Sequence, residues 1–316
     1  MQTGKAILAY EIDLRAENKS STTIRWYTHK LRYFTDWLAD CQAVSDVEGI
    51  ETQQVKAFLL HLQGLNRTMG RELSFAKGRP SSLTVHGYAQ VIKTFCGWLA
   101  RNGYLTDNPC QGMAMPKVEK YVIKAFTAED VRRMLKAAQG RRHGQRDYAV
   151  ILLLYDTAIR AGELTRLRLD YIDFEGGWLR VNGKGGKERM VPLGQTARRA
   201  LWRYVNLHRP EPLLPAMREV FLNERREPLS PSGTWRIVRK VADAAGVNGK
   251  RLSPHTLRHA AAEDFLRNGG DAFALQKLLG HTTLAVTRMY VDLVANDLQE
   301  AHKRASPGDN LRLRVR

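Results

Sequence analysis

The chain is poor in cysteine: Cys41, Cys96 and Cys110 are the only three among 316 residues, and their spacing suits no metal site. An odd count so scattered argues against a disulfide framework or a zinc ribbon and fits a reducing cytoplasm. Long apolar runs are missing too. None approaches the roughly 20 residues that cross a bilayer, and the first residues, with Glu11 and Asp13 among them, lack a secretory apolar region. Neither a membrane span nor an export signal is expected. Negative charge is also in short supply. Lys and Arg number 50 against 32 Asp and Glu, giving a net charge of +18 and an isoelectric point near 10.0. An excess of this size points to a polyanionic partner, nucleic acid before others. The excess is uneven: residues 1–120 carry 15 basic against 11 acidic side chains, and the remainder 35 against 21.

What is present is a soluble, globular composition, 43% hydrophobic and 26% charged, long enough for two domains. In the first part, Ile24, Tyr27, Leu31, Phe34, Trp37 and Leu38 recur at three- and four-residue steps, which predicts a helix over 22–39. A second is expected over 47–62 and a third over 81–101, started by Ser81-Ser82, with Asn108-Pro109 as the break beyond it. Residues 66–80 read as a cationic loop carrying Arg71, Lys77 and Arg79. The stripes are core, so the residues give a helical bundle with one basic loop. Residues 111–124 have no clear period and read as a linker.

In the second part, Thr127-Ala128-Glu129-Asp130 predicts a capping box and a helix to about 139. The stretch DYAVILLLY, 147–155, is apolar nearly all round and reads as a buried helix. Arg160 follows it, with Glu163 three residues on. Strands are expected over 178–182 and 189–193, joined by Gly183-Lys184-Gly185-Gly186-Lys187 as a hairpin turn. Two further helices are expected over 195–207 and 231–245. The second carries Arg236, Arg239 and Lys240 on one face, a candidate DNA-contacting surface.

The densest chemistry lies in 251–290. Ser253-Pro254 reads as a helix start, Gly269-Gly270 as its stop. His255 and Arg258 then lie about 60° apart on one face, opposite Leu257, Ala261 and Phe265. Asp271 caps a short helix that ends at Gly280, His281 follows, and Tyr290 comes nine residues later. A guanidinium binds phosphate oxygens bidentately, imidazoles donate to a developing oxyanion, and a phenol with a pKa near about 10 becomes a nucleophile only beside positive charge.

His255-x-x-Arg258, Leu279-Gly280-His281 and Tyr290, preceded by Thr157-x-x-Arg160-x-x-Glu163-Leu164 and by Gly183-Lys184-Gly185-x-Lys187-x-Arg189, resemble the motifs of the tyrosine recombinases, the phage integrase family. Ala158 and Gly162 depart from the family's common glycine and its common serine or alanine. The resemblance implies a mostly α fold with a small antiparallel β-sheet in the C-terminal domain, as a two-domain DNA clamp. Residues 1–118 would be the core-binding, SAM-like domain and 125–316 the catalytic domain with its tail. It implies that Tyr290 attacks a phosphodiester and forms a 3′-phosphotyrosyl link. Arg160 and Arg258 would bind the non-bridging oxygens, Lys184 would protonate the leaving 5′-oxygen, His281 would hydrogen-bond the phosphate, and His255 would manage the tyrosine proton. No metal and no nucleotide cofactor is implied. Lys187 and Arg189 are expected phosphate or groove contacts. The implied partners are double-stranded DNA carrying recombination sites and three further copies of the chain, a homotetramer formed by exchange of a C-terminal helix over 291–303. The implied place is the cytoplasm, at the nucleoid. The chain is Xer-sized, and Asp292 stands where Xer-type members commonly have histidine, which favours a mobile-element enzyme. A type IB topoisomerase shares the chemistry, and a DNA-binding protein with a dead site is the alternative outside enzymes.

The charge makes an immediate prediction. DNA affinity should fall steeply with salt, the log–log slope being roughly −0.9 per phosphate contacted. A filter-binding or fluorescence titration at several salt concentrations measures it, and a flat response would contradict the electrostatic reading.

Overall fold

Short polar side chains set most of the helix starts. The Ser20, Ser81, Ser230 and Ser253 hydroxyls accept from the backbone N–H of Thr23, Thr84, Gly233 and Thr256 at 3.2, 3.2, 3.0 and 3.3 Å. Thr127 and Asp130 exchange side-chain and backbone bonds at 3.1 and 2.9 Å, the capping box expected from the sequence. Each such cap contributes about 1 kcal/mol. The computed structural model describes residues 1–64, 80–119, 124–183, 186–280, 283, 287, 288 and 290. The chain divides into two units, Met1–Tyr121 and Val122–Arg316. No helix among the described residues is long and apolar enough to cross a membrane.

The first unit holds α1 (Thr3–Ala16), α2 (Ser21–Gln42), α3 (Thr52–Gly64) and α4 (Ser82–Arg101). Its core is aromatic: Phe34, Phe58 and Phe95 are fully buried, and Tyr88 packs edge-on to Phe58 at 5.7 Å. α1 is not among the helices that the sequence pattern predicts. It has no side-chain cap. Contacts distant in sequence fix it instead: the Thr3 N–H donates to the Ser45 carbonyl at 2.9 Å, and the Trp98 indole donates to Asp13 at 2.7 Å. The helix expected from 47 begins only at Thr52, because Val47–Gly49 forms a separate 3-10 turn. The basic loop with Arg71, Lys77 and Arg79 lies outside the described residues.

The second unit holds α5 (Ala128–Gln139), α6 (Gly144–Thr157), α7 (Ala161–Thr165), β1 (Ile172–Asp173), β2 (Trp178–Asn182), β3 (Glu188–Pro192), α8 (Gln195–Arg203), α9 (Pro231–Ala244), α10 (Pro254–Arg267) and α11 (Ala272–Leu279). α6 is the hub, packed against α5, α8, α9 and α10, as its all-round apolar surface requires. The sheet is antiparallel in the order β1-β2-β3, with Val181 opposite Arg189 and Arg180 opposite Met190. Leu179, Val181 and Val191 face the core, while Trp178 and Met190 stay exposed. β1, two residues long, is too short to leave a sequence pattern. The expected helix over 291–303 and the tail lie outside the described residues.

One buried cation stands out in the first unit. Lys30, on α2, is 9% exposed, and its ammonium lies 3.7 Å from the centre of the Tyr88 ring and 5.2 Å from that of Trp26. Burial brings its pKa down to about 8. The ring faces attract the cation and offset part of the lost hydration. The folded state thus holds this proton less tightly than the unfolded chain. Stability should rise as pH climbs from about 8 towards the ordinary lysine value of 10.5. Lys30→Met is expected to stabilise the full chain by about 1–2 kcal/mol near pH 7, an advantage that closes as pH approaches 10. Urea unfolding across that range tests it. A destabilised variant at neutral pH would mean that the aromatic contacts outweigh desolvation.

Candidate active site

The α10 cap places His255 and Arg258 one turn apart, as the spacing requires. Arg258 is 4% exposed. A guanidinium buried to this degree must find acceptors. Nη1 donates to the Ala158 carbonyl, and Nη2 to the Leu279 carbonyl at 2.7 Å. Burial, and then the Arg160 charge, lower its pKa to about 10, so it stays cationic at neutral pH. Ala158 ends α6 with φ +50°, a left-handed conformation. That costs a non-glycine residue roughly 1–2 kcal/mol, which explains why a glycine is common here in the resembled family. The turn exposes one of the two carbonyls that bind Arg258.

Arg160 precedes α7. Its backbone N–H donates to Glu163 Oε2 at 2.8 Å and its Nη1 to Glu163 Oε1 at 3.0 Å. Arg189, reaching in from β3, grips the same carboxylate with both Nη atoms at 2.9 Å. Burial would raise the Glu163 carboxyl. Hydrogen bonds from Arg189 and from the Arg160 backbone, with the charge of Arg189, outweigh it and bring the pKa down to about 2. Arg189 Nε also donates to the Leu278 carbonyl at 3.2 Å. Gly280 makes room for this reach. It caps α11 with φ +63°, and a Cβ there would lie 3.0–3.1 Å from the Arg189 Nε, Cδ and Cζ atoms. Arg189, read from the sequence as a groove contact, therefore has its guanidinium turned inward onto Glu163 and the end of α11.

Tyr290 is 3% exposed. Burial raises its phenol above the ordinary value, and the opposing pull of Arg258 only moderates this. Its ring lies 5.3 Å from that of His259. Burial, then the charges of His255 and Arg258, hold the His259 imidazole below its usual pKa. His255 keeps solvent contact, and partial desolvation with Arg258, Arg251 and Arg160 lowers it likewise. Both imidazoles are thereby held towards the neutral form.

A pocket of about 670 Å³ opens between these elements. Arg160, Arg258, His255 and Glu163 line it, as does Gly183 at the base of the β2–β3 hairpin. Tyr290 does not line it. Lys184 and His281 lie outside the described residues. Lys187 is exposed on the hairpin. Arg236, Arg239 and Lys240 are exposed along α9, with the Arg239 guanidinium stacked 5.3 Å from the Trp235 ring and 3.8 Å from Asp243. Sequence reasoning gave no role to His259, Arg166, Arg251 or Trp235, and offered Glu163 only as a partner for Arg160, a pairing that the structure contains. Glu163 stood in the matched motif, three residues from Arg160, yet its partner Arg189 lies 26 residues away, and only the fold joins them.

Residues 124–297 match the phage integrase family. The chain is 30% identical over 291 residues to the tyrosine recombinase XerD of Listeria innocua, covering 91% of this chain and 93% of the relative. It is 30% identical over 290 residues to the XerD of Staphylococcus epidermidis, with the same coverage. Among solved structures, lambda integrase residues 75–356, a dimer bound to a core site, matches with a TM-score of 0.72 and 20% identity over 92% of this chain and 95% of that one. The Tn1549 transposon integrase, in complex with a circular intermediate DNA, matches with a TM-score of 0.71 and 17% identity over 95% and 99%. The last two share the fold. With the relatives' similarity over nearly the full length and the arginine-lined pocket beside a buried tyrosine, the chain belongs to the phage integrase family and is a tyrosine site-specific recombinase.

Proposed function

We propose that this recombinase cleaves and rejoins duplex DNA at specific sites through Tyr290, and that the arginine pocket receives the scissile phosphate. Arg160 and Arg258 take its non-bridging oxygens. The phenol oxygen attacks phosphorus, the bond to the 5′-oxygen breaks, and the strand is held as a 3′-phosphotyrosyl ester. The phenolic proton passes to a neutral imidazole, His255, with His259 beside the ring. Lys184 delivers a proton to the departing 5′-oxygen, and His281 hydrogen-bonds the phosphate. Rejoining runs the same transfers in reverse. The observation that carries the reading is the convergence of Arg160, Arg258 and His255 on one pocket, with the phenol packed close enough for Arg258 to act on its ionisation.

Tyr290 is buried and must turn outward to attack. On this reading DNA binding and assembly with further copies release it, through a C-terminal helix over 291–303 docked on a neighbouring protomer of a tetramer. The first unit and the exposed α9 face, Arg236, Arg239 and Lys240, contact DNA along the site, as do Lys187 and the 66–80 loop. The enzyme works in the cytoplasm on the nucleoid, and mobile-element integration or excision suits it better than chromosome dimer resolution.

The test is a suicide substrate nicked so that cleavage traps the covalent complex. The full-length protein should form a 3′-linked adduct. Tyr290→Phe should bind the same DNA within about twofold and form none, because only the nucleophilic oxygen is gone. An adduct with the Phe variant would overturn the assignment of the nucleophile.

A further inference from the structure

One phosphodiester carries one negative charge and is gripped by two arginines, yet four arginines line the pocket. Arg160 and Arg258 are the pair assigned above. Arg166 and Arg251 line the same space. Both are exposed, and neither enters an ion pair among the described residues. Glu163 is the single carboxylate in the lining, and Arg189 shares it from behind. Four guanidiniums against one carboxylate repel one another, and one phosphodiester leaves the excess largely uncompensated.

The placement of the two extra arginines is specific. Arg160 and Arg166 stand at opposite ends of α7, roughly 9 Å apart along its axis. The Arg166 side chain folds back over the helix, its Nη1 3.7 Å from where a Cβ on Gly162 would stand. Arg251 lies just before the Ser253 cap of α10, near enough that its charge acts on His255. Trp235 and Pro231 give the same pocket an apolar wall. Trp235 is 39% exposed. Two pairs of cations and an apolar wall in one pocket suit two phosphates and the deoxyribose that joins them.

We propose that Arg166 and Arg251 hold the backbone phosphate adjacent to the scissile one on the cleaved strand, with the intervening deoxyribose against Trp235. This rests on the reading that the pocket takes the scissile phosphate. The second grip fixes the strand on one side of the bond to be broken, so that attack meets phosphorus in line.

The experiment pairs protein and DNA changes. Duplexes carry one neutral methylphosphonate at either phosphate flanking the scissile position, and each is bound by the full-length protein and by Arg166→Gln, Arg251→Gln and the double variant. Wild type should lose roughly tenfold in affinity, the worth of charge-assisted hydrogen bonds, at one flanking position. The double variant should bind that modified duplex and the unmodified one equally. Each protein is compared with itself on two DNAs, so a partial folding defect cancels. Loss that is the same in wild type and variant at both positions overturns the proposal. The wild-type adduct on unmodified suicide DNA is scored in parallel. If it forms without the coupling, the second subsite alone is wrong; if it never forms, the reading beneath it fails and the subsite falls with it.

Discussion

The site depends on one buried carboxylate. Glu163 has 2% of its side chain exposed and is held by the Arg160 backbone and guanidinium and by both Nη atoms of Arg189. Taking a carboxylate out of water costs several kcal/mol, and only well-made hydrogen bonds offset that. Here they come from two elements, the N-terminal end of α7 and strand β3. Glu163 therefore fixes where Arg160 can point and closes the sheet onto the helices. Without its charge, Arg160 and Arg189 would lose the carboxylate that both of them grip.

The same arrangement is completed at α11. Arg189 and Arg258 donate to the Leu278 and Leu279 carbonyls, the last of that helix. A helix C-terminus carries partial negative charge, so two cations there are favourable. Gly280 turns the chain immediately beyond, in a conformation that leaves the Arg189 side chain its path. Arg258 also holds the left-handed turn at Ala158. The ends of α6, α7 and α11 are thus tied by two arginines and one glutamate. This frame puts Arg160 and His255 at the open pocket while Tyr290 stays covered beside His259.

Much of this was legible in the sequence. The capping box at Thr127, the all-round apolar α6, the hairpin strands and the Ser253-Pro254 helix start are local signals, and the structure places elements where they predict. His255 and Arg258 were identifiable from their spacing, and Arg160 from the motif of the resembled family; the three meet at one pocket. What was not legible is set by distance in the chain. α1 is started by contacts to residues 45 and 48 rather than by a cap. β1 is two residues long. Arg189 has the composition of a surface hairpin arginine, and nothing local says that its fork closes on a glutamate in another element. The charge pattern likewise gave no hint that Arg166 folds back over Gly162.

The claim that Glu163 holds the site together is tested most directly by urea unfolding of wild type and Glu163→Gln between pH 2 and 7. The substitution keeps the shape and removes the charge. The folded-state pKa of Glu163, at about 2, lies below its ordinary value of 4.5. The stability it contributes is therefore present above the ordinary value and lost as pH falls towards 2. The account predicts that wild type is more stable by about 3 kcal/mol at pH 7, and that the gap closes through that window. A gap that is absent at pH 7, or that persists unchanged at pH 2, would contradict it.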